Sequence, residues 1–180
     1  MSRLEILPDL DGFRAQAQAG RRVINVHTRL LADDLTPVGI YAQMCEGREL
    51  TYLFESAESG VWSRWSFIGV NTAATLTERD GRAVWLGREL VGLDVAGDPL
   101  AALKQTLRLL HTERDPELPP FSSGMVGYLG YDVARRLERL PDTCVDDLQI
   151  PELTMMLASD LIVFDHHLGE VWVIANAINF

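Results

Sequence analysis

Lysine is nearly missing from this chain. Of its 16 basic residues only Lys104 is a lysine, so cationic recognition falls almost wholly to arginine, whose planar fork suits carboxylates better than an ammonium does. Bases are also outnumbered: 26 acids leave a net charge of −10. No dense basic run offsets that balance. The nearest, Arg135 and Arg136 with Arg139, reads as a solvated helix face. A surface of this sign repels nucleic acid. Cysteine is scarce too. Cys45 and Cys144 lie far apart and form no CxxC pair, which argues against zinc and leaves one disulfide as an unsupported option. No apolar run approaches the roughly 20 residues that a membrane-spanning helix needs. The N-terminus carries Glu5 early and lacks a long apolar core, so it is not a secretory signal; the cytoplasm is the expected location. Gly124, Gly127 and Gly130 are spaced as GxxGxxG, but no lysine followed by Ser or Thr completes a phosphate loop. In a strand-like setting these glycines more simply permit close backbone approach. Internal repeats and low-complexity segments are absent as well.

What remains is an ordinary globular composition. With 180 residues, 47% apolar and 23% charged, the chain is one domain or a domain and part of another. Leu10 to Gly20 reads as a short helix ending at glycine, and Arg22 to Thr28 as a strand rich in β-branched residues. Thr36 and Pro37 open a helix as cap and first turn, carry Ile40, Tyr41 and Met44 at helical spacing, and give way at Gly47. Leu50 to Glu55 and Trp65 to Val70 read as strands. Ala73 to Thr77 and Ala83 to Leu86 form a hairpin around Asp80-Gly81. Asp98-Pro99 starts a helix with Leu100, Leu103, Leu107 and Leu110 as its core stripe. Thr112 to Pro120 is a polar, Pro-rich loop, the best internal hinge or mobile segment, and a short basic helix runs to about Leu140. Glu152 to Phe164 and Glu170 to Ala177 make a long hairpin turning on Asp165 to Gly169. Apolar residues on both its faces (Leu157, Leu161 and Val163 on one, Met156, Ala158, Ile162 and Phe164 on the other) predict a central place in a sheet covered on each side. The chain stops on Ala177-Ile178-Asn179-Phe180 without polar tail or turn, which reads as a cut within a longer polypeptide.

The chemistry concentrates in Leu53-Phe54-Glu55-Ser56-Ala57-Glu58-Ser59-Gly60 and the following Trp62-Ser63-Arg64-Trp65-Ser66-Phe67-Ile68-Gly69. A strand ends in a carboxylate and a hydroxyl, and the next opens with an arginine between two tryptophans. Such a set can hold a small zwitterion with a flat apolar side chain: carboxylate to ammonium, hydroxyl and N–H donors to carboxylate, ring to ring. A plainer reading stands beside it. Glu55 can be a strand-end charge in solvent, Ser56 a turn residue, and Arg64 a stacked structural arginine bridging a carboxylate inside the domain. Elsewhere the signals are weak. His166 and His167 are adjacent on a turn and lack ligand partners, so a plain turn is expected. His27 and His111 stand alone, and Asp146, Asp147, Glu113 and Asp115 read as solvated loop charge.

With these residues in view the chain resembles the N-terminal part of the large subunit of anthranilate synthase, component I. The resemblance rests on Thr36-Pro37, on Leu53-Phe54-Glu55-Ser56, and on Trp62 through Gly69. It continues in Pro119-Pro120-Phe121 with Gly124 through Asp132, and in the hairpin through Asp160 to Asp165. Order and spacing match from about Gly20 to the end; the family usually carries Leu where Phe54 stands. The resemblance implies an α+β fold with antiparallel β-sheet layers and packed helices, one half of a two-sheet structure. It implies a whole enzyme that makes anthranilate and pyruvate from chorismate and ammonia, the ammonia released from glutamine by a separate glutamine amidotransferase subunit, with Mg²⁺ and the catalytic residues in a C-terminal part absent from this chain. Residues 1–180 would then be the regulatory domain, inactive alone, whose ligand is the feedback inhibitor L-tryptophan. The motif places Glu55 and Ser56 at the inhibitor's amino-acid end, Pro37 nearby on the helix start, and the strand holding Arg64, Ser66 and Phe67 as a further wall. Two alternatives accompany it: the related aminodeoxychorismate synthase component I of the folate route, and a free-standing amino-acid-binding module.

Overall fold

The computed structural model describes all residues except 1–3, 56–63, 94–96, 142 and 144. Its elements in chain order are α1 (Leu10–Gln18), β1 (Val23–Leu31), α2 (Pro37–Cys45), β2 (Tyr52–Phe54), β3 (Trp65–Arg79), β4 (Arg82–Gly87), α3 (Pro99–Leu110), β5 (Gly124–Leu129), a 3₁₀ turn (Tyr131–Arg136), β6 (Leu153–Asp165) and β7 (Glu170–Ile178). Antiparallel sheet with a few helices makes it α+β, as the resemblance implied. The described residues fall into two compact units: 1–72, 110–124 and 158–179 in the first, and 73–109, 125–157 and 180 in the second. Strands β3 and β6 contribute residues to both.

In the first unit the strands follow the order β1-β7-β6-β3-β2. β1 pairs antiparallel with β7 from Val23↔Ile178 to Leu31↔Glu170. β7 pairs with β6 from Asp160↔Ala175 to Asp165↔Glu170. β2 joins β3 through Tyr52↔Gly69, Leu53↔Ile68 and Phe54↔Phe67. Facing residues of an antiparallel pair share a side and side chains alternate along each strand, so the pairing sorts the core. On one face Ile68, Val70, Ile162, Phe164 and Val171 pack with Ala32 and with Ile40 and Cys45 of α2. The Thr36 side chain caps α2 by accepting from the Gly39 N–H, and Pro37 fills the first turn. On the other face lie Leu161, Val163, Trp172 and Ile174, all buried. The expected two-faced burial of β6 is what the structure shows.

That second face receives the loop before β5. Asn25 Nδ2 donates to Asn176 Oδ1, and both amides donate to the Ser122 carbonyl, at 3.4 and 3.0 Å. Arg21 donates to the Glu113 carbonyl, and Leu118 is buried. The Pro-rich segment expected to be a hinge is therefore anchored at both ends. On the same side Gly69 lies under the Tyr52 ring; a Cβ there would stand 2.0 Å from Tyr52 Cε1. Burial pushes the Tyr52 phenol well above its ordinary pKa and the Cys45 thiol up as well, so both stay protonated at neutral pH. Cys144 lies outside the described residues, and no pairing is assigned to Cys45.

In the second unit β4 pairs with β3 from Ala74↔Gly87 to Arg79↔Arg82, and β5 pairs with β6. The hairpin expected at Asp80-Gly81 is present, but the two strands expected before it are one strand of 15 residues: nothing at Asn71 or Thr72 breaks the pairing. The α3 stripe is a correction. Pro99, Ala102 and Thr106 are the buried residues, and Leu107 is 49% exposed. Small residues let the helix lie close, with the Thr106 hydroxyl donating to the Ala102 carbonyl. The basic helix expected to reach Leu140 is a 3₁₀ turn ending at Arg136. Arg136 is not a solvated charge. Its Nη1 donates to Asp98, its Nε to Glu152 and its Nη2 to the Gly81 carbonyl. The close-approach reading of the glycines holds: a Cβ on Gly127 would sit 1.8 Å from the Thr154 carbonyl oxygen.

Candidate functional site

Of the nominated residues, Glu55 follows β2 and Arg64, Ser66 and Phe67 lie at the start of β3, within the first unit. Pro37 is buried at the start of α2. Glu55 follows β2 directly and is exposed. Continuing the β2–β3 register by one residue sets Glu55 across from Ser66, on the face that α2 covers. Ser56 lies outside the described residues, as do Trp62 and Ser63 of the same motif.

Ser66 is fully buried, 0% exposed. Its hydroxyl lies 2.8 Å from His166 Nε2, so it meets a protein group and offers no free surface. Phe67 points the other way. It makes an edge-on contact with Phe121, ring centroids 5.9 Å apart, so its side chain is not brought to the face that carries Ser66. Strand alternation explains the split: neighbouring residues of one strand cannot line the same side.

Arg64 precedes β3 and has two fixed surfaces. Its Nε and Nη2 donate to the Asp165 carboxylate at 3.0 and 2.6 Å, and its guanidinium lies over the Trp65 ring at 4.5 Å. The structural role weighed for Arg64 is thus present. Nη1 makes no hydrogen bond among the described residues, and the side chain is 41% exposed.

Asp165 is the residue that sequence reasoning missed. Inside a turn motif it looks like an ordinary turn former, yet it is 0% exposed. Its Oδ1 also accepts from the N–H groups of His167 and Leu168. Burial works to raise its pKa. The Arg64 fork and the two backbone N–H groups outweigh that and hold it below the usual carboxylate range, while Arg64 is held above its own. His166, expected to be a plain turn residue, bonds Ser66 through its ring, stacks on Phe164 with centroids 4.7 Å apart, and donates its N–H to the Arg64 carbonyl at 2.9 Å. A signal was available in the sequence: an Asp-His pair closing a hairpin between two apolar strands.

A cavity of about 590 Å³ opens elsewhere in this unit, beside β1 and β7. His27, Arg29, Glu170 and Trp172 line it, with Arg29 lying over the Trp172 ring at 5.0 Å. Burial lowers the His27 pKa below its ordinary value, against a raising hydrogen bond to backbone at Asn25. None of the nominated residues lines this cavity. Among the described residues, no group of three or more His, Cys, Asp or Glu is placed to hold a metal ion, and no helix is long and apolar enough to cross a membrane.

Arg64 thus has one edge and one face of its guanidinium occupied, and the exposed Glu55 follows the strand that pairs with β3. No protein-family model matches the chain. Among curated proteins it is 49% identical to anthranilate synthase component 1 of Mycolicibacterium smegmatis over 171 residues, covering 94% of this chain and 32% of that protein. It is 32% identical to aminodeoxychorismate synthase component 1 of Bacillus subtilis over 137 residues, covering 76% of this chain and 28% of that protein. Among solved structures, anthranilate synthase component I from Streptococcus pneumoniae shares the fold, with a TM-score of 0.54 at 21% identity over 83% of this chain and 31% of that one. The chain spans about one third of the length of the first of these relatives. Homologous along nearly all of its length, and as a piece about a third of theirs, it belongs to the anthranilate synthase component 1 family.

Proposed function

We propose that this chain is the regulatory, tryptophan-binding N-terminal part of an anthranilate synthase component 1. The single observation that carries the reading is the 49% identity to such a protein over 94% of the chain. The whole protein would convert chorismate and ammonia to anthranilate and pyruvate, with a glutamine amidotransferase subunit as the ammonia source. The reading places Mg²⁺ and the reacting groups outside these 180 residues, so this chain alone is inactive.

In the first unit the chemistry is recognition. The exposed Glu55 carboxylate faces the ligand's ammonium. Arg64 Nη1, which has no hydrogen bond among the described residues and belongs to a guanidinium already fixed against Asp165 and Trp65, receives the carboxylate. Ser56 adds a hydroxyl at the same end, and Pro37, itself buried, contributes by fixing the start of α2. Ser66 and Phe67 contribute through the strand that carries them, since one side chain is bonded to His166 and the other packs on Phe121. Bound tryptophan lowers activity by favouring one of two states of the whole protein, which requires tighter binding to that state than to the other.

The test is a Ser56→Arg variant of the full-length protein. It should make anthranilate at the wild-type rate and lose inhibition by L-tryptophan; unchanged inhibition overturns the reading. The aminodeoxychorismate alternative has a specific observation behind it, the 32% identity to that enzyme of Bacillus subtilis, and product fluorescence decides between them.

A further inference from the structure

The turn between β6 and β7 is bound to the start of β3 by three separate contacts, two through side chains and one along the backbone. The buried Asp165 carboxylate takes the Nε–Nη2 edge of Arg64. His166 Nε2 meets the Ser66 hydroxyl at 2.8 Å while its ring rests on Phe164. The His166 N–H donates to the Arg64 carbonyl at 2.9 Å. Phe164 belongs to the core packed under α2, so the imidazole is seated on a fixed surface. A guanidinium held along one edge and stacked on one face has few rotamers left, and binding through its Nη1 then loses little side-chain entropy.

We propose that Asp165 and His166 are positioning residues for the amino-acid site: Asp165 sets the Arg64 guanidinium by its Nε–Nη2 edge and leaves Nη1 for the ligand, and His166 fixes the strand from Arg64 to Phe67 through Ser66. This rests on the reading of that strand as a wall of the tryptophan site. Neither residue touches the ligand. A purely structural ion pair predicts a change in stability alone, whereas a positioning pair changes ligand affinity in variants that melt like the wild type.

The experiment is calorimetric titration of the full-length protein with L-tryptophan, alongside thermal melting, for wild type, Asp165→Asn, His166→Ala and His166→Gln. His166 lies on an exposed turn, so its variants fold even where Asp165→Asn does not. Weakening of L-tryptophan binding by about fivefold or more in His166→Ala, with unchanged melting and recovery in His166→Gln, supports the proposal. Binding within twofold of wild type in His166→Ala and Asp165→Asn overturns it. Wild type that fails to bind L-tryptophan overturns the tryptophan reading instead. The positioning claim is then read from amide exchange at Trp65 to Ile68: faster exchange confined to this strand in His166→Ala sustains it, and unchanged exchange overturns it.

Discussion

Two arginines, one in each unit, solve the same problem in different ways. Arg136 in the second unit uses all three nitrogens on protein partners: Glu152, Asp98 and the Gly81 carbonyl. Arg64 in the first uses two, both on Asp165, and its Nη1 has no hydrogen bond among the described residues. Each is called up by a carboxylate, and hydrogen bonds to those carboxylates hold both above their ordinary pKa. The difference is Nη1. A guanidinium with all three nitrogens engaged is a fastener, while one gripped along a single edge keeps a nitrogen for a further partner. A sequence reports the residue type in both cases; what separates them is where the partner carboxylates lie.

The comparison is broken most directly by truncating each arginine. Arg64→Ala should weaken L-tryptophan binding to the full-length protein by about tenfold to a hundredfold, the worth of a charge-assisted hydrogen bond. Arg136→Ala should leave that binding within twofold and lower the melting temperature instead. Equal effects on binding would erase the distinction, and titration calorimetry on the two variants reads it. A second contrast concerns the backbone. Gly127→Ala in the second unit drives a methyl into the Thr154 carbonyl, 1.8 Å away, and should destabilise by about 1–3 kcal/mol in a denaturant titration.

Acid separates the units further. In the first, the folded His27 pKa lies below its ordinary 6.5 and that of Asp165 below 3.8. For each, the unfolded chain takes up the proton first, so stability is full above the ordinary value and declines as pH falls through the folded one. The slope is at most about 1.4 kcal/mol per pH unit for each proton. His27→Gln should flatten the decline that begins below pH 6.5, and Asp165→Asn the one that begins below pH 3.8, in melts taken across the range. The smallest effect belongs to the α2 cap. Thr36→Ala removes the acceptor for the Gly39 N–H and should cost about 1 kcal/mol.

Much of the fold was legible in the residues, for reasons that differ by element. Thr36-Pro37 gave α2 its start because cap and first turn are local chemistry. The β6–β7 hairpin followed from apolar residues on both faces, and the structure seats β6 between β7 and β3. The α3 stripe misled because leucine spacing tells which face is apolar, not which face is close: Ala102 and Thr106 are buried, and Leu107 is not. The site was legible only in part. Arg64 could be named from its place between Trp62 and Trp65, but its partner lies 101 residues away, beyond any local pattern. The same distance hid Asp165, and turned His166 from a plain turn residue into a partner of Ser66. Strand alternation could have warned that Ser66 and Phe67 face opposite sides.

The central claim is that Arg64, held by Asp165, receives the carboxylate of tryptophan. Calorimetric titration of the full-length protein with L-tryptophan and L-phenylalanine, for wild type and Arg64→Ala side by side, tests it most directly. The account predicts selective binding of tryptophan by wild type and a loss of at least about tenfold in the variant. Tryptophan binding of equal strength in both proteins would contradict it.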